Sequence, residues 1–220
     1  MGKINLHANR FSQPARSVEL FLKVNNIPYE FHPIDVPKGD NRTESFLKIN
    51  PTGTVPALVD DEFSLFESVA MIQYLAKKYS TPDHWYPKEI RARARINEYL
   101  AWHHFNTRTN GATGYFIALF IKPRYLKIEV SDEEVQEAKE KFEKMLDAFE
   151  SYYLKGTEFI SSNTMSIADI MALNELTQLV AIGIEPGKDR PKIADWYERC
   201  KQALQPHFDD VHTDIFSLRK

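Results

Sequence analysis

The stretch KINLHANRFSQP, residues 3–14, decides the fold of the first part of the chain. From Lys3 to Ala8 polar and apolar residues alternate, which predicts a half-buried strand. After the loop Asn-Arg-Phe, Ser12 comes two residues before Pro14, which predicts the start of a helix. A strand that passes through a short loop into a helix is typical of an α/β layer.

The same alternation of strand and helix signals continues as far as residue 79. Period-2 alternation returns in three later segments, and helical spacing or polar loops fill the intervals between them. The predicted strands are 3–8, 29–34, 57–59 and 63–66, and the predicted helices are 13–25, 43–49 and 68–78, the last capped by Ser68. We therefore predict that residues 1–79 form an α/β domain.

The sequence changes character after this domain. Residues 80–87 contain two prolines and predict a linker, and from residue 88 to residue 220 all the signals are helical, beginning with one or two long helices over 88–120. Ser131 followed by Glu134 predicts a capping box. The segment Ser166–Asp169 opens a helix that is apolar nearly all round, as expected for a helix buried within a bundle. The second domain is therefore predicted to be an all-α bundle.

Composition narrows the classes of function. The chain has 220 residues, of which 43% are hydrophobic and 27% charged, and a net charge of −3, so neither nucleic acid nor an anionic membrane is an expected partner. No apolar run approaches the ~20 residues of a membrane helix, and no signal peptide is visible, so we expect a cytoplasmic protein. The single cysteine, Cys200, excludes an intrachain disulfide framework.

Metal and nucleic-acid motifs are also missing from the sequence. No His-Glu-x-x-His or Cys-x-x-Cys motif occurs, and the adjacent His103 and His104 would point about 100° apart on a helix, so no metal site is expected. The basic run at Arg91, Arg93 and Arg95 is flanked by glutamates and is interpreted as a surface or dimer face.

Several short motifs, in this order and at these spacings, resemble the cytosolic glutathione transferases over essentially the whole chain. The matches are with the theta-class active-site turn (Ser12-Gln13-Pro14), the glutathione-binding loop (50–58), the γ-glutamyl clamp (Glu67-Ser68), the capping box of the buried helix (166–169) and theta-like text around Tyr86-Pro87, 91–93 and 98–102. The resemblance implies a thioredoxin-like domain that binds glutathione, a helical bundle domain that forms the electrophile pocket, and a homodimer.

The resemblance also gives Ser12 the role of activating the glutathione thiol. The thiolate is the attacking form, and an ordinary thiol has a pKa of about 8.5. A hydroxyl that donates to the sulfur contributes ~1.5–3 kcal/mol, which lowers the thiol pKa by about one to two units, and a helix N-terminus favours the same charge. The local sequence leaves open that Ser12 is only an N-cap. No tyrosine precedes Tyr29 and no cysteine lies in the turn, which excludes a tyrosine-type activator and disfavours thiol transfer.

The remaining glutathione contacts are implied by the same resemblance. The backbone of Val55, before a cis Pro56, would pair with the glutathione backbone, and Glu67 with Ser68 would hold the γ-glutamyl group. A plain helix cap with an acidic neighbour is the alternative interpretation of Glu67 and Ser68.

The glycine end of glutathione would lie near Asn41 and Thr54. The family often has His at the first of these positions, and vertebrate theta members often have Lys at the second. The cation expected at that end is therefore missing here, and Lys38 or Arg42 could replace it.

The electrophile pocket would be lined by Asn9 and Phe11 in the first loop and by Arg108, Thr109 and Ala112 on the long helix. Arg108 matches an arginine near the theta active site, and a solvated or dimer-facing arginine is the alternative. Vertebrate theta relatives continue past the position of Lys220, so a more open pocket is expected here.

Three functional hypotheses follow. The leading one is an enzyme that conjugates glutathione to electrophiles, with peroxide reduction or halide displacement as side activities. The second is a non-catalytic ligand-binding protein with the same fold. The third, a thiol–disulfide oxidoreductase, is disfavoured by a serine at position 12.

Overall fold

The computed structural model describes residues 3–219, with Arg219 described by its backbone alone. These residues form two compact units. The first runs to Tyr86 and also includes Leu204–Ile215, and the second comprises Pro87–Ala203 and the residues from Phe216 onward. The sequence predicted domains of 1–79 and 88–220 with a linker over 80–87, whereas here Leu204–Ile215 group with the first unit.

The first unit is built on a four-stranded sheet. Strands β1 (Ile4–Ala8) and β2 (Tyr29–Pro33) are parallel, while β3 (Ala57–Asp60) runs antiparallel to β1 and pairs with β4 (Phe63–Phe66), which gives the order β2-β1-β3-β4. Parallel neighbours need a crossover, and the helix between β1 and β2 provides it. All four predicted strands are therefore confirmed, within a residue or two at their ends.

The principal helices follow the predicted order. They are α1 (Gln13–Val24), α2 (Glu44–Ile49), α3 (Ser68–Lys78), α4 (Ile90–His103), α5 (Thr113–Phe116), α6 (Asp132–Ala148), α7 (Ile167–Val180), α8 (Pro191–Ala203) and α9 (His207–Phe216). Short 3-10 turns cover Asp40–Arg42, Asp83–Trp85 and Ser217–Arg219. Part of the predicted linker packs against the first unit, because the buried ring of Trp85 lies edge-to-face on Phe21 at 5.8 Å.

The long helix predicted over 88–120 is interrupted. After α4 the chain becomes π-helical over His104–Ala112 and again over Ile117–Leu126, and Gly111 leaves helical geometry with φ −97° and ψ −116°. A Cβ at Gly111 would lie only 2.5 Å from the carbonyl oxygen of Asn106, so this approach of the backbone needs glycine.

Two predicted caps differ from expectation. Ser68 does not occupy the N-cap of α3, because Glu67 does and Ser68 is the first helical residue. Only half of the capping box at α6 forms, since the Ser131 hydroxyl accepts from the backbone of Glu134 while the Glu134 carboxylate pairs with Lys122. The full box of Ser166 and Asp169 at α7 is confirmed, and that helix is buried nearly all round, as predicted.

Candidate active site

The turn between β1 and α1 presents Ser12 at the N-cap of α1. Its backbone N–H donates to the carbonyl oxygen of Asn9 at 2.9 Å, and its carbonyl oxygen accepts from Arg16 at 3.1 Å. The half-buried side chain makes no capping hydrogen bond although φ −82° and ψ 123° are ordinary for a cap. The hydroxyl is therefore not used as a cap, which was the alternative that the sequence left open.

Asn9 and Phe11 flank the same turn in different ways. The Asn9 amide nitrogen donates to the carbonyl oxygen of Ile34 at 2.9 Å, and its amide oxygen accepts from the backbone of Phe11 at 2.9 Å. Asn9 thus uses its side chain to hold the loop against the end of β2. The ring of Phe11 is 45% exposed, which is unusual for a phenylalanine in an ordered loop.

The loop before β3 is cross-linked by short polar side chains. The amide nitrogen of buried Asn50 donates to the carbonyl oxygen of Thr54 at 2.8 Å, and the hydroxyls of Thr52 and Thr54 lie 2.8 Å apart. The Val55–Pro56 peptide bond is cis, so the expectation for this bond is confirmed. Thr54 is exposed, and Val55 is half-buried directly before the strand.

Asn41 ties a second segment to this loop. Its amide nitrogen donates to the carbonyl oxygen of Gly53 at 2.7 Å, while its buried amide oxygen has no hydrogen-bond partner within residues 3–219. Of the two cations considered for the glycine end, Lys38 is exposed and pairs with Asp35 at 2.8 Å. The guanidinium of Arg42 lies against the loop, where Nη1 is 3.4 Å from the carbonyl oxygen of Thr52.

Glu67 and Ser68 lie where β4 meets α3. Glu67 has φ 73° and ψ 105°, a conformation that residues with a Cβ rarely adopt and that is often found at functional sites. Its carboxylate is exposed and has neither an ion pair nor a hydrogen bond in the described part of the chain, whereas Ser68 is buried in the first turn. The unpartnered carboxylate can accept from an ammonium, while the backbone N–H groups at the N-terminus of α3 can donate to an anion.

The sheet register brings these three motifs to one end of the first unit. His7, near the end of β1, lies opposite Ala57, which begins β3, and Ala57 lies opposite Phe66, which ends β4. The turn with Ser12 follows β1, the cis Pro56 precedes β3, and Glu67 follows β4. All three therefore lie at the same edge of the sheet, the one formed by these strand ends. Ligands of α/β sheets bind at the carboxyl ends of the parallel strands, where this edge lies.

The residues predicted on the long helix belong to the second unit. Arg108 donates to the carboxylate of Glu175 at 2.8 Å, and Thr113 donates to the other oxygen of that carboxylate at 2.7 Å. Glu175 is fully buried in α7, and the Arg108 side chain is 32% exposed. Arg108 is thus a paired, oriented cation and not a freely solvated one.

The two neighbours of Arg108 differ from it in burial. Thr109 is exposed and donates to the carbonyl oxygen of His104 at 2.8 Å, and Ala112 is buried. Sequence reasoning missed Glu175, although an acidic side chain in the middle of the apolar run of α7 was a usable signal.

Two buried side chains of the second unit, His103 and Asp169, have shifted pKa values. Burial, together with the charges of His104 and Arg108, lowers the pKa of His103 to about 3, so this imidazole is neutral at pH 7. Burial raises the pKa of Asp169 to about 6, against the opposing hydrogen bonds from Ile160, Ser166 and Trp196. Asp169 caps α7 and bonds the Trp196 indole at 2.9 Å, which is a structural role.

The described residues give little support for a metal site, a cysteine nucleophile or a membrane-spanning helix. Between residues 3 and 219, no three His, Cys, Asp or Glu side chains are grouped as a metal site. Cys200 is buried, and burial raises its thiol pKa well above the ordinary value, which makes it a poor nucleophile. Across the same residues no helix is long and apolar enough to cross a membrane.

Comparison with known proteins gives both units a family. Residues 6–83 match the model of the glutathione S-transferase N-terminal domain, and residues 110–203 match that of the C-terminal domain. Glutathione S-transferase theta-1 of Bos taurus is 36% identical, in an alignment covering 98% of this chain and 90% of that protein.

Solved structures agree with this relationship. Human glutathione-S-transferase T1-1 in its apo form has a TM-score of 0.94 at 34% identity, covering 98% of this chain and 90% of that one. A human theta-class enzyme in complex with the glutathione conjugate of 1-menaphthyl sulfate has a TM-score of 0.93 at 36% identity, covering 99% and 89%. The fold is that of the glutathione transferases, with a thioredoxin-like domain followed by a helical one, as the sequence predicted. The chain belongs to the glutathione S-transferase family and is similar to its theta class.

Proposed function

We propose that this protein conjugates the thiol of reduced glutathione to small electrophiles and that Ser12 activates the thiol. The observation that carries the proposal is the Ser12 hydroxyl, which is half-buried at the start of α1 and makes no capping bond. It is free to donate to a thiolate, whose charge the N-terminus of the helix also favours. The thiolate sulfur then bonds to the electrophilic carbon, and the leaving group departs with its electron pair.

Glutathione would bind along the sheet edge that the three motifs share. The half-buried Val55 precedes the cis bond and would offer its backbone to the peptide backbone of glutathione, as an added strand does. The unpartnered carboxylate of Glu67 would take the ammonium of the γ-glutamyl group, and Ser68 with the first turn of α3 would take its carboxylate. Asn41 and Thr54 would face the glycine end, where the guanidinium of Arg42, which lies against the same loop, would supply a cation in place of the missing His and Lys.

Among the residues that the resemblance assigns to the electrophile, Asn9 and Phe11 belong to the first unit, and Arg108, Thr109 and Ala112 belong to the second. The support for Phe11 is its exposed ring, and the support for Arg108 is its orientation by buried Glu175. A fixed cation would stabilise a leaving group that acquires negative charge. Peroxide reduction and halide displacement are side activities that the same thiolate could perform.

We also propose a homodimer that works in the cytoplasm. Exposed apolar side chains support the dimer, since Ile90 at the start of α4 is 78% exposed and Phe105, just beyond that helix, is 70% exposed. Arg91 and Arg95 are also exposed on α4. The single buried cysteine suits a reducing compartment. Light scattering at micromolar concentration should give twice the mass of the chain, and a monomer mass would reject the dimer.

A substrate panel tests the proposed reaction. Aryl halides, alkyl halides, epoxides and hydroperoxides are offered with and without glutathione to the wild type, Ser12→Ala and the matched control Ser64→Ala. Ser64 is exposed on β4, and its hydroxyl has no bond within residues 3–219. Turnover that requires glutathione and is lost in Ser12→Ala alone supports the proposal. Glutathione binding without turnover of any member would favour the non-catalytic alternative.

A further inference from the structure

A cluster of charged side chains lies behind the turn that carries Ser12. The Arg10 guanidinium is aimed at the carboxylate of Glu19 on α1, with Nε 2.9 Å from Oε2 and Nη2 bonded to Oε1. Glu19 is buried, and the Tyr29 hydroxyl of β2 donates to the same carboxylate at 3.0 Å. Two elements of the first unit therefore fix the side chain of Arg10.

Hydrogen bonds also hold the backbone of the turn that carries Ser12. Arg16 is completely buried, and its Nη1 donates to the carbonyl oxygen of Arg10 at 2.8 Å. Because the Ser12 backbone is in turn bonded to Asn9 at 2.9 Å, the residues on both sides of exposed Phe11 are held. The turn of residues 9–12 lies outside the strands and helices, so it depends on these hydrogen bonds for its rigidity.

The last helix of the first unit adds a third attachment. The Asp210 carboxylate of α9 lies 2.8 Å from Lys23 Nζ and 3.5 Å from Arg10 Nη1. Hydrogen bonding to Lys23 lowers the pKa of Asp210, so this carboxylate is charged at neutral pH. Its side chain is 50% exposed, and exposed pairs of this kind contribute only about 0–1 kcal/mol to stability. Removing the charge should therefore leave the fold intact.

We propose that Arg10 is a positioning residue for Ser12 and that Glu19 of α1 and Asp210 of α9 hold it in place. The inference rests on the proposed function because it assigns the Ser12 hydroxyl to the glutathione thiol. A hydrogen bond to a thiolate depends steeply on where the donor lies, and small displacements of catalytic groups reduce rates strongly. The bidentate contact of Arg10 matters more than its charge, since lysine cannot reproduce the planar fork.

The test compares Arg10→Lys, Arg10→Gln and Asp210→Asn with the wild type and with Asp209→Asn. Asp209 is the neighbouring exposed carboxylate of α9, and its side chain has no bond within residues 3–219, so its variant is the matched control. The measurements are the thiol pKa of bound glutathione, kcat, KM for glutathione and the melting temperature. The same substitutions are also made in a Ser12→Ala background.

We expect Arg10→Lys to raise the thiol pKa and to lower kcat about ten-fold, with KM for glutathione changed less than kcat. Asp210→Asn should also raise the thiol pKa and should lower kcat about three-fold, whereas Asp209→Asn should match the wild type. In the Ser12→Ala background none of these substitutions should lower kcat further, because they act through that hydroxyl.

Other outcomes overturn the inference and can be told apart. A lower melting temperature with unchanged thiol pKa in both Arg10 variants would mean that the cluster serves only the fold. Equal behaviour of Asp210→Asn and Asp209→Asn would remove α9 from the mechanism even if the Arg10 variants fail to fold. If Ser12→Ala itself leaves the thiol pKa unchanged, the proposed function fails and not the cluster alone.

Discussion

Glu67 combines a strained backbone with an unpartnered carboxylate, and three substitutions can separate the two. Its φ of 73° and ψ of 105° belong to conformations that cost about 1–3 kcal/mol for a residue with a Cβ. Glycine removes that cost but adds about 0.5–1 kcal/mol of chain entropy to be lost on folding. We therefore expect the free energy of unfolding of Glu67→Gly to exceed that of Glu67→Ala by about 1 kcal/mol.

The carboxylate determines affinity independently of that strain. If it pairs with the ammonium of glutathione, its loss removes a charge-assisted hydrogen bond of about 1.5–3 kcal/mol, which corresponds to roughly 10–150-fold in Kd. Glycine and alanine should lose this equally. Glu67→Gln keeps one acceptor oxygen and the backbone strain, so it should lose less affinity and have the stability of Glu67→Ala.

Calorimetric titration with glutathione and urea unfolding measure the two effects on the same three variants. Because a clamp acts on the ground and transition states alike, KM for glutathione should rise more than kcat falls. Unaltered affinity in both Glu67→Ala and Glu67→Gly would remove the carboxylate from the site. A glycine variant less stable than the alanine variant would refute the argument from strain.

Three further predictions concern the second unit. Arg108→Ala leaves the carboxylate of Glu175 buried without its cation, so urea unfolding should show a loss of about 3 kcal/mol that Arg108→Ala with Glu175→Gln partly restores. Gly111→Ala places a methyl group 2.5 Å from the Asn106 carbonyl oxygen and should cost about 2 kcal/mol by the same assay. The lowered pKa of His103, about 3, means that the neutral imidazole stabilises the fold fully above pH 6.5 and that this contribution is lost as pH falls toward 3, at about 1.4 kcal/mol per pH unit. The pH dependence of urea unfolding between pH 7 and 5 should be shallower in His103→Asn, and equal slopes would contradict the assignment.

Much of the fold could be predicted because its signals are local. Alternation of polar and apolar residues placed β1 to β4, and Ser12 followed by Pro14 placed the start of α1 within one residue. The π-helical interruption at Gly111 was not predictable, since it depends on contact of the backbone with Asn106 and on packing of the Met145 side chain. The placement of α9 also depends on tertiary contacts that no local pattern specifies.

The candidate site was predictable where a motif marked it, and not where distant residues complete it. Ser12, Val55-Pro56 and Glu67-Ser68 were found as short motifs, and the sheet register explains why they share one edge. Glu19, Asp210 and Glu175 were missed, because their roles depend on partners 9, 200 and 67 positions away in the chain. Glu19 and Glu175 share one signal, a charged group at a position that the helical period assigns to the core, whereas Asp210 is exposed and carries no such signal.

The pKa of the glutathione thiol in the bound state tests the central claim most directly. Titrating the near-ultraviolet absorbance of the thiolate gives this pKa for the wild type, Ser12→Ala and the control Ser64→Ala. One hydrogen bond of ~1.5–3 kcal/mol should place the wild-type value about one to two units below the ordinary thiol value of about 8.5. Ser12→Ala should still bind glutathione but return its thiol to about that ordinary value, while Ser64→Ala behaves as wild type. A thiol pKa that is the same in wild type and Ser12→Ala would contradict the assignment of Ser12 as the activating residue.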